Sequence, residues 1–240
     1  MKKEIFMYHN FIYVLKNNDK VKRAYNNALD LLQEAQKIIK KEHNMAFAYY
    51  VVGSYKRNMI THDPNTNVGF DFDFNIVFNN KHGYSPAKLK NALREALNKI
   101  AKKYQFDFPE DSTRVLTLKV KDRKQSRIIY SIDLAIVNEN FTKYIHFDKT
   151  YGVNEYAYKW QAMPQGYENF SIKFETLKKA GYSKELRDEY LRRKNNNRDN
   201  NIHSRDILIQ TVNDLYQLKG LYLNSSSALL LGHSNMYVLK

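Results

Sequence analysis

Two acidic residues lie two positions apart in a run that alternates between apolar and polar side chains. The run spans residues 70–78, with the sequence FDFDFNIVF, and its acids are Asp71 and Asp73. Residues two apart on a β-strand point to the same face of the sheet, so the phenylalanines would enter a core on the other face. Like charges this close repel each other unless a cation or open solvent relieves them. The pair therefore predicts either a Mg²⁺ site that also takes substrate phosphates, or an exposed edge with two solvated acids.

A third acid interrupts a strongly apolar run. Asp133 lies within residues 131–137, with the sequence SIDLAIV. An aspartate among such β-forming residues is unfavourable unless it meets a metal or a hydrogen-bond partner. If this strand lies beside the strand of Asp71 and Asp73, the three carboxylates converge on one metal site. Asp133 would then orient or deprotonate an attacking hydroxyl.

A glycine–serine pair follows the preceding strand-like run. Gly53 would let the backbone approach a phosphate closely, and Ser54 would offer both its N–H and its hydroxyl. Lys56 and Arg57 follow and add positive charge to the same turn. A Gly-Ser pair is also a common way for a chain to leave a strand. The order of the elements along the chain therefore decides what the pair means.

Periodicity and turn residues predict the elements that position these side chains. In chain order they are a helix at 20–43, a strand at 46–52, a polar loop to 68, a strand at 70–78, a helix beginning at Ser85-Pro86, a hairpin of 114–120 and 127–137, and helices at 171–180, 183–194 and 204–219. Ser85 is the expected N-cap and Pro86 the first helical residue. The pattern thus changes from mixed helix and strand to mainly helix after about residue 140.

This order resembles the nucleotidyltransferases of the DNA polymerase β superfamily. Their pattern is a hydrophobic-Gly-Ser turn, then a strand with two alternating aspartates, then a third aspartate on a later strand. The matching segments are Val52-Gly53-Ser54, Phe70-Asp71-Phe72-Asp73-Phe74 and Ile132-Asp133-Leu134, within residues 20–140. The spacing departs from the family, because 16 residues separate Ser54 from Asp71. We interpret residues 61–67 as a loop insertion, and Met59 stands near a position where many members have threonine.

The resemblance implies an α+β fold with two parts. Residues 1–145 would form a catalytic core, a polymerase β-like mixed sheet with flanking helices, and the mainly helical residues 146–240 would close the cleft. The oligoadenylate-synthase-like and cyclic-dinucleotide-synthase-like branches match this organisation best.

The implied reaction is transfer of a nucleoside monophosphate from an NTP to an acceptor hydroxyl, with release of pyrophosphate. Asp71 and Asp73 would bind two Mg²⁺ ions, with Mn²⁺ as a substitute, and Asp133 would complete the metal site. Gly53 and Ser54 would hold the triphosphate, with Lys56 and Arg57 beside it.

The charge balance bears on the acceptor. The 39 lysines and arginines against 25 acids give a net charge of +14, which attracts polyanions and would repel a cationic drug. This favours a nucleotide or nucleic-acid acceptor, although a dispersed solubilising charge would give the same total. Two alternatives stay open: an antibiotic or protein nucleotidyltransferase, and a catalytically silent nucleic-acid-binding module.

Several classes are excluded or disfavoured by composition. The chain has no cysteine, which excludes disulfides, cysteine-ligated zinc and thiol catalysis. No uninterrupted apolar stretch approaches the roughly 18 residues of a membrane span, and the first residues lack the apolar region of a signal peptide. We therefore expect a cytoplasmic protein that does not bind membranes.

Overall fold

The computed structural model describes residues 9–66, 69–152, 155–164, 167–199 and 201–221. They form two compact units. The sheet unit comprises the described residues of 12–163, and the helical unit comprises residues 9–11 together with the described residues from 164 onwards. The N-terminal residues where a signal peptide would begin and residues 222–240 of the expected helical half lie outside the described residues.

The sheet unit confirms the predicted α+β fold. Its elements are β1 Ile12–Tyr13, α1 Asp19–His43, β2 Phe47–Val52, the short helical turn α2 Gly53–Lys56, β3 Thr61–His62, β4 Phe70–Phe78, α3 Pro86–Ile100, β5 Glu110–Asp111, β6 Val115–Asp122, β7 Arg127–Val137, β8 Lys143–Phe147 and β9 Tyr158–Ala162. The main sheet has the order β2-β4-β7-β6-β5, with β8 paired to β7 and β9 to β8. Only the central pair β4 and β7 is parallel among its described pairings.

The apolar face of this sheet is covered by the two long helices. Strand β4 buries every second residue from Phe70 to Phe78, as its alternation predicts. Helix α1 buries a stripe at helical spacing, and α3 contributes a second stripe to the same core. Ser85 caps α3, since its side chain accepts a hydrogen bond from the backbone N–H of Lys88. The opposite, polar face of β4 is thereby left to Asp71 and Asp73.

A buried ion pair crosses the apolar side of α3. The Lys90 side chain is 1% exposed, and its Nζ lies 2.9 Å from Oδ1 of Asp111 on β5. The Tyr158 hydroxyl on β9 donates to Oδ2 of the same carboxylate at 2.7 Å. Burial lowers the pKa of Lys90, and Asp111 acts in the opposite direction. The network ties α3 to both outlying strands β5 and β9.

The sequence predicted mainly helical structure after about residue 140, with the second part at residues 146–240. Instead, β8 and β9 form an antiparallel pair that continues the main sheet, and the unit extends to residue 163. Trp160 lies on β9 and is half-buried against the core. The roles assigned to the two parts, a catalytic core up to residue 145 and a second part that closes the cleft, stay predictions.

The helical unit contains the three predicted helices, α4 Tyr167–Lys179, α5 Ser183–Asn196 and α6 Ser204–Leu218. Their shared core includes Phe174, Leu186 and Val212. The side-chain amide of Asn195 on α5 binds both backbone groups of Phe11, accepting from its N–H at 2.6 Å and donating to its carbonyl at 3.0 Å. In the described part of the chain, none of the helices is both long and apolar enough to cross a membrane.

Candidate active site

The parallel pairing of β4 and β7 brings the three predicted aspartates to one face. Asp73 lies directly opposite Asp133 in the register, and Asp71 lies opposite Ser131. Since all three alternate with buried apolar residues, their carboxylates share the polar face. Each side chain is half-buried. The convergence expected from the sequence is therefore present.

The carboxylates act on one another electrostatically. The pKa of Asp73 is raised to about 7, first by burial and then by the charges of Asp71 and Asp133, against the Arg57 charge and a hydrogen bond from the Ser54 backbone N–H. Burial also raises the pKa of Asp133, and Asp71 adds to the rise. The site thus holds more negative charge than its protein neighbours neutralise, and a bound cation would relieve it.

Gly53 is required at this position for two reasons. Its φ of +65° is left-handed, and a Cβ there would lie 1.7 Å from Oδ2 of Asp73. The preceding Val52 pairs with Asp73 across β2 and β4, so the turn begins directly beside the carboxylate. The hydroxyl of Ser54 is buried without a hydrogen-bond partner among the described residues. The turn therefore places one unsatisfied hydroxyl next to the acids.

The two basic residues of the turn differ in position. Arg57 is half-buried, and its charge acts on Asp73. Lys56 is exposed, and its backbone carbonyl accepts a hydrogen bond from Lys16 Nζ at 3.3 Å. Met59 is 2% exposed and belongs to the buried residues. The structure therefore brings Arg57 to the acids, and it places the Lys56 side chain in solvent.

The structure describes residues 61–66 of the insertion predicted after this turn. Its first residues form β3, which pairs antiparallel with β1 as a separate two-stranded sheet. Asn67, at the end of the predicted insertion, lies outside the described residues. Tyr55 stacks on Tyr25 with ring centroids 4.2 Å apart and meets Phe72 edge-on. Tyr55 therefore packs against the core of the sheet unit.

Two residues of the site were not predicted from the sequence. Thr117 on β6 donates a hydrogen bond from its Oγ1 to Oδ1 of Asp133 at 2.5 Å, and the Lys119 charge also acts on Asp133. Both lie on the polar face of β6, two residues apart. The alternation of apolar and polar residues in β6 predicts that Thr117 and Lys119 share a face. The sequence does not give the register of β6 against β7, which is what places Thr117 opposite Asp133.

The donor set agrees chemically with a divalent metal. Mg²⁺ prefers carboxylate oxygens, and the three aspartates supply an oxygen-only set with surplus negative charge. The match is incomplete in geometry, because no group of three histidine, aspartate or glutamate side chains among the described residues is arranged to hold a metal ion as it stands. Metal binding therefore stays a proposal.

The basic residues of the helical unit are largely engaged within that unit. Arg192 and Arg193 both bind Glu189, and Arg193 also reaches Oδ2 of Asp214 at 2.6 Å. Lys173 donates to Asn213 at 2.7 Å. Ion pairing thus accounts for part of the positive charge of the helical unit.

The sequence matches no protein-family model and no curated protein. Solved structures of Vibrio cholerae DncV are similar in fold. The cyclic AMP-GMP synthase, described as a prokaryotic cGAS homolog, has a TM-score of 0.52 and 14% identity, with 88% of this chain and 68% of that chain covered. The chain shares this fold. Two further DncV structures, the complex with nonhydrolyzable GTP and the 3'-deoxy GTP bound form, each give a TM-score of 0.54 and 13% identity over the same shares of the two chains.

This likeness confirms the predicted resemblance at the level of fold. At 12–14% identity the comparison does not extend to activity, so the chemistry has to be argued from the site itself.

Proposed function

We propose that this protein is a metal-dependent nucleotidyltransferase that moves a nucleoside monophosphate from an NTP to an acceptor hydroxyl and releases pyrophosphate. The observation that carries the proposal is the cluster of Asp71, Asp73 and Asp133 on adjacent strands, beside the Gly53-Ser54 turn. Buried carboxylates that repel one another destabilise a fold. Their presence therefore favours a role in binding a cation over a purely structural role.

Each residue has a defined part in this proposal. Asp71 and Asp73 would hold two Mg²⁺ ions, for which Mn²⁺ could substitute, and Asp133 would complete the set near the nucleophile. When bound, the metal ions supply neutralisation of the triphosphate and activation of the attacking oxygen. The Ser54 N–H is engaged by Asp73, which leaves the unsatisfied Ser54 hydroxyl for a phosphate oxygen.

The basic residues of the turn would act at longer range. Arg57 would share its charge between Asp73 and the triphosphate. Lys56 is exposed and would reach the phosphates only from solvent. Residues 146–240 would close the cleft over the nucleotide.

A nucleotide is the proposed acceptor, which makes the product an oligonucleotide or a cyclic dinucleotide. The net charge of +14 suits an anionic acceptor better than a cationic drug. The fold likeness to a cyclic AMP-GMP synthase supports the same choice. We also propose that the protein acts in the cytoplasm, where NTPs are available.

The deciding experiment incubates the protein with Mg²⁺ or Mn²⁺ and each labelled NTP in turn, and then with all four together. Parallel reactions contain RNA or a panel of antibiotics and proteins. Phosphatase-resistant products made without an added acceptor would support the proposal. Label found only on an antibiotic or a protein would replace the proposed acceptor, and label found only on RNA would identify a terminal transferase.

A silent nucleic-acid-binding module is the second candidate, favoured by the same positive charge. Thermal unfolding with Mg²⁺ and each NTP separates the two. A bound NTP at about 100 times its Kd adds roughly 2.7 kcal/mol to the free energy of unfolding. No stabilisation by any NTP, together with salt-sensitive binding of RNA or DNA, would favour the module and overturn the enzyme.

A further inference from the structure

The polar face of the sheet continues from the three aspartates onto β6. Strand β6 pairs antiparallel with β7, and Thr117 lies directly opposite Asp133. Residues 116 and 118 are buried in the core, so Thr117 and Lys119 point to the face that carries the acids. This places a hydroxyl and a cation beside the third aspartate.

The hydroxyl of Thr117 fixes the Asp133 carboxylate. Its Oγ1 donates to Oδ1 at 2.5 Å, a short charge-assisted hydrogen bond. Because Oδ1 is engaged, the carboxylate cannot turn freely about its terminal torsion, and Oδ2 is the oxygen that Thr117 leaves available. Lys119 acts on Asp133 through its charge, and its Nζ lies 2.5 Å from Glu110 Oε2.

We propose that Thr117 is a positioning residue that orients Asp133 as a metal ligand. The inference rests on the proposed function of the three aspartates. Hydrogen-bond partners of metal-ligating carboxylates hold the ligand in its binding geometry, and their loss commonly lowers metal affinity or activity 10–100-fold.

A structural role would predict a different result. Threonine is favoured on strands by its branched side chain, and valine preserves that shape while it removes the hydroxyl. Thr117→Val therefore tests the hydrogen bond, and Thr117→Ser restores a hydroxyl without the methyl group. Thr211→Val is the matched control, because Thr211 is fully buried in the helical unit and donates to the Ile207 carbonyl at 2.7 Å.

The experiment measures Mn²⁺ binding from the EPR signal of the free ion, with and without a nonhydrolysable NTP, and the steady-state kinetics of the full chain. We expect Thr117→Val to weaken Mn²⁺ binding and to lower kcat by about 10–100-fold, with the KM for NTP nearly unchanged. Thr117→Ser should recover most of the loss, and Thr211→Val should match the wild type. In an Asp133→Asn background, Thr117→Val should have little further effect.

The outcomes separate this inference from the proposed function. Product formation with wild-type Mn²⁺ affinity and kcat in Thr117→Val overturns the inference and leaves the function standing. A Thr117→Ser variant as impaired as Thr117→Val also overturns it, because the hydroxyl would not be the cause. Weakened Mn²⁺ binding in Thr117→Val, in a protein that forms no nucleotide product, supports the inference and overturns the function. A wild type that binds no Mn²⁺ overturns both.

Discussion

The paired charges of the helical unit and the clustered acids of the candidate site have opposite surroundings. In the helical unit, acids lie next to bases: Lys184 binds Asp188 at 2.7 Å, and Glu189 accepts hydrogen bonds from two arginines. In the sheet unit, Asp71, Asp73 and Asp133 lie next to one another, and burial together with the neighbouring negative charges raises the pKa values of Asp73 and Asp133. Burial makes the contrast stronger, because the clustered acids are partly withdrawn from water.

This difference distinguishes charged residues that keep the surface soluble from charged residues that take part in chemistry. A paired surface acid contributes little to stability, so its substitution changes the free energy of unfolding only slightly. A buried acid beside like charges destabilises the metal-free fold and persists only if something else requires it. The comparison therefore locates the candidate site more sharply than the net charge of +14 does.

The largest effect should come from neutralising one clustered acid. Asp73→Asn is expected to lower kcat by about a thousandfold or more, since roughly 4 kcal/mol of transition-state stabilisation would be lost with the metal site. The free energy of unfolding without metal should stay the same or rise, because one repelling charge is removed. Steady-state kinetics and urea denaturation measure the two quantities.

An acid with the opposite surroundings provides the control. Asp107 lies at 3.0 Å from Lys102, Lys121 and Arg123, and the hydrogen bonds from Lys121 and Lys102 hold its pKa well below the usual range. Asp107→Asn should lower stability and leave kcat within a few-fold of wild type. The comparison fails if the two variants change stability in the same direction.

The second effect concerns the turn beside Asp73. Gly53→Ala should lower the free energy of unfolding by more than about 2 kcal/mol, through left-handed strain and a clash with the carboxylate. Gly83→Ala is a matched control, because Gly83 has a φ of +64° and a Cβ added there would meet no described atom within 4 Å. It carries the backbone strain alone. Equal losses in urea denaturation would show that the contact with Asp73 is unimportant.

The third effect is a pH dependence specific to the metal-free site. Asp73 has a pKa of about 7 in the folded protein, against about 4 for an unfolded chain. Between these values the folded state holds a proton that the unfolded state releases, so stability should fall as pH rises through this window. With solvent reaching part of the carboxyl group, we expect a loss on the order of 2 kcal/mol.

Urea denaturation in EDTA at pH values from about 4 to 8 measures this loss, and Asp73→Asn should flatten the profile. Saturating Mg²⁺ should reduce the slope if the acids bind it. A wild-type profile identical to that of Asp73→Asn would contradict a raised pKa at this residue.

The smallest effect should come from the helical unit. Glu189 has its pKa lowered to about 2, first by its hydrogen bond to Arg192, and its contribution to stability is lost only as pH falls below about 4. Glu189→Gln should lower the free energy of unfolding at neutral pH by about 1 kcal/mol or less. High salt should reduce the difference further. A loss as large as that of Gly53→Ala would mean that paired charges matter as much as the clustered ones.

Local patterns were sufficient to predict the elements that carry the acids. The alternation in residues 70–78 predicts β4 to the residue, because one buried face imposes a strict period of two. The same reasoning predicts which side of β7 carries Asp133. The sequence analysis could only assume that these two strands are neighbours, because their parallel pairing depends on the path of the chain through α3.

The remaining features depend on contacts between distant residues. Strands β1 and β3 have two residues each, too few for a periodic signal. Lys90 lies buried within the apolar stripe of α3 only because Asp111 reaches it from β5. The match of Thr117 with Asp133 required the register of β6 and β7, which shifts between Val120 and Lys121.

The bond between Phe11 and Asn195 affects the order in which the protein folds during synthesis. The two residues are 184 positions apart, whereas the sheet unit has all its residues by position 163. At a ribosomal rate of about 5–20 residues per second, Phe11 waits roughly 10–40 s for its partner to emerge. The sheet unit can therefore assemble first, and the helical unit binds Phe11 only after Asn195 has been synthesised.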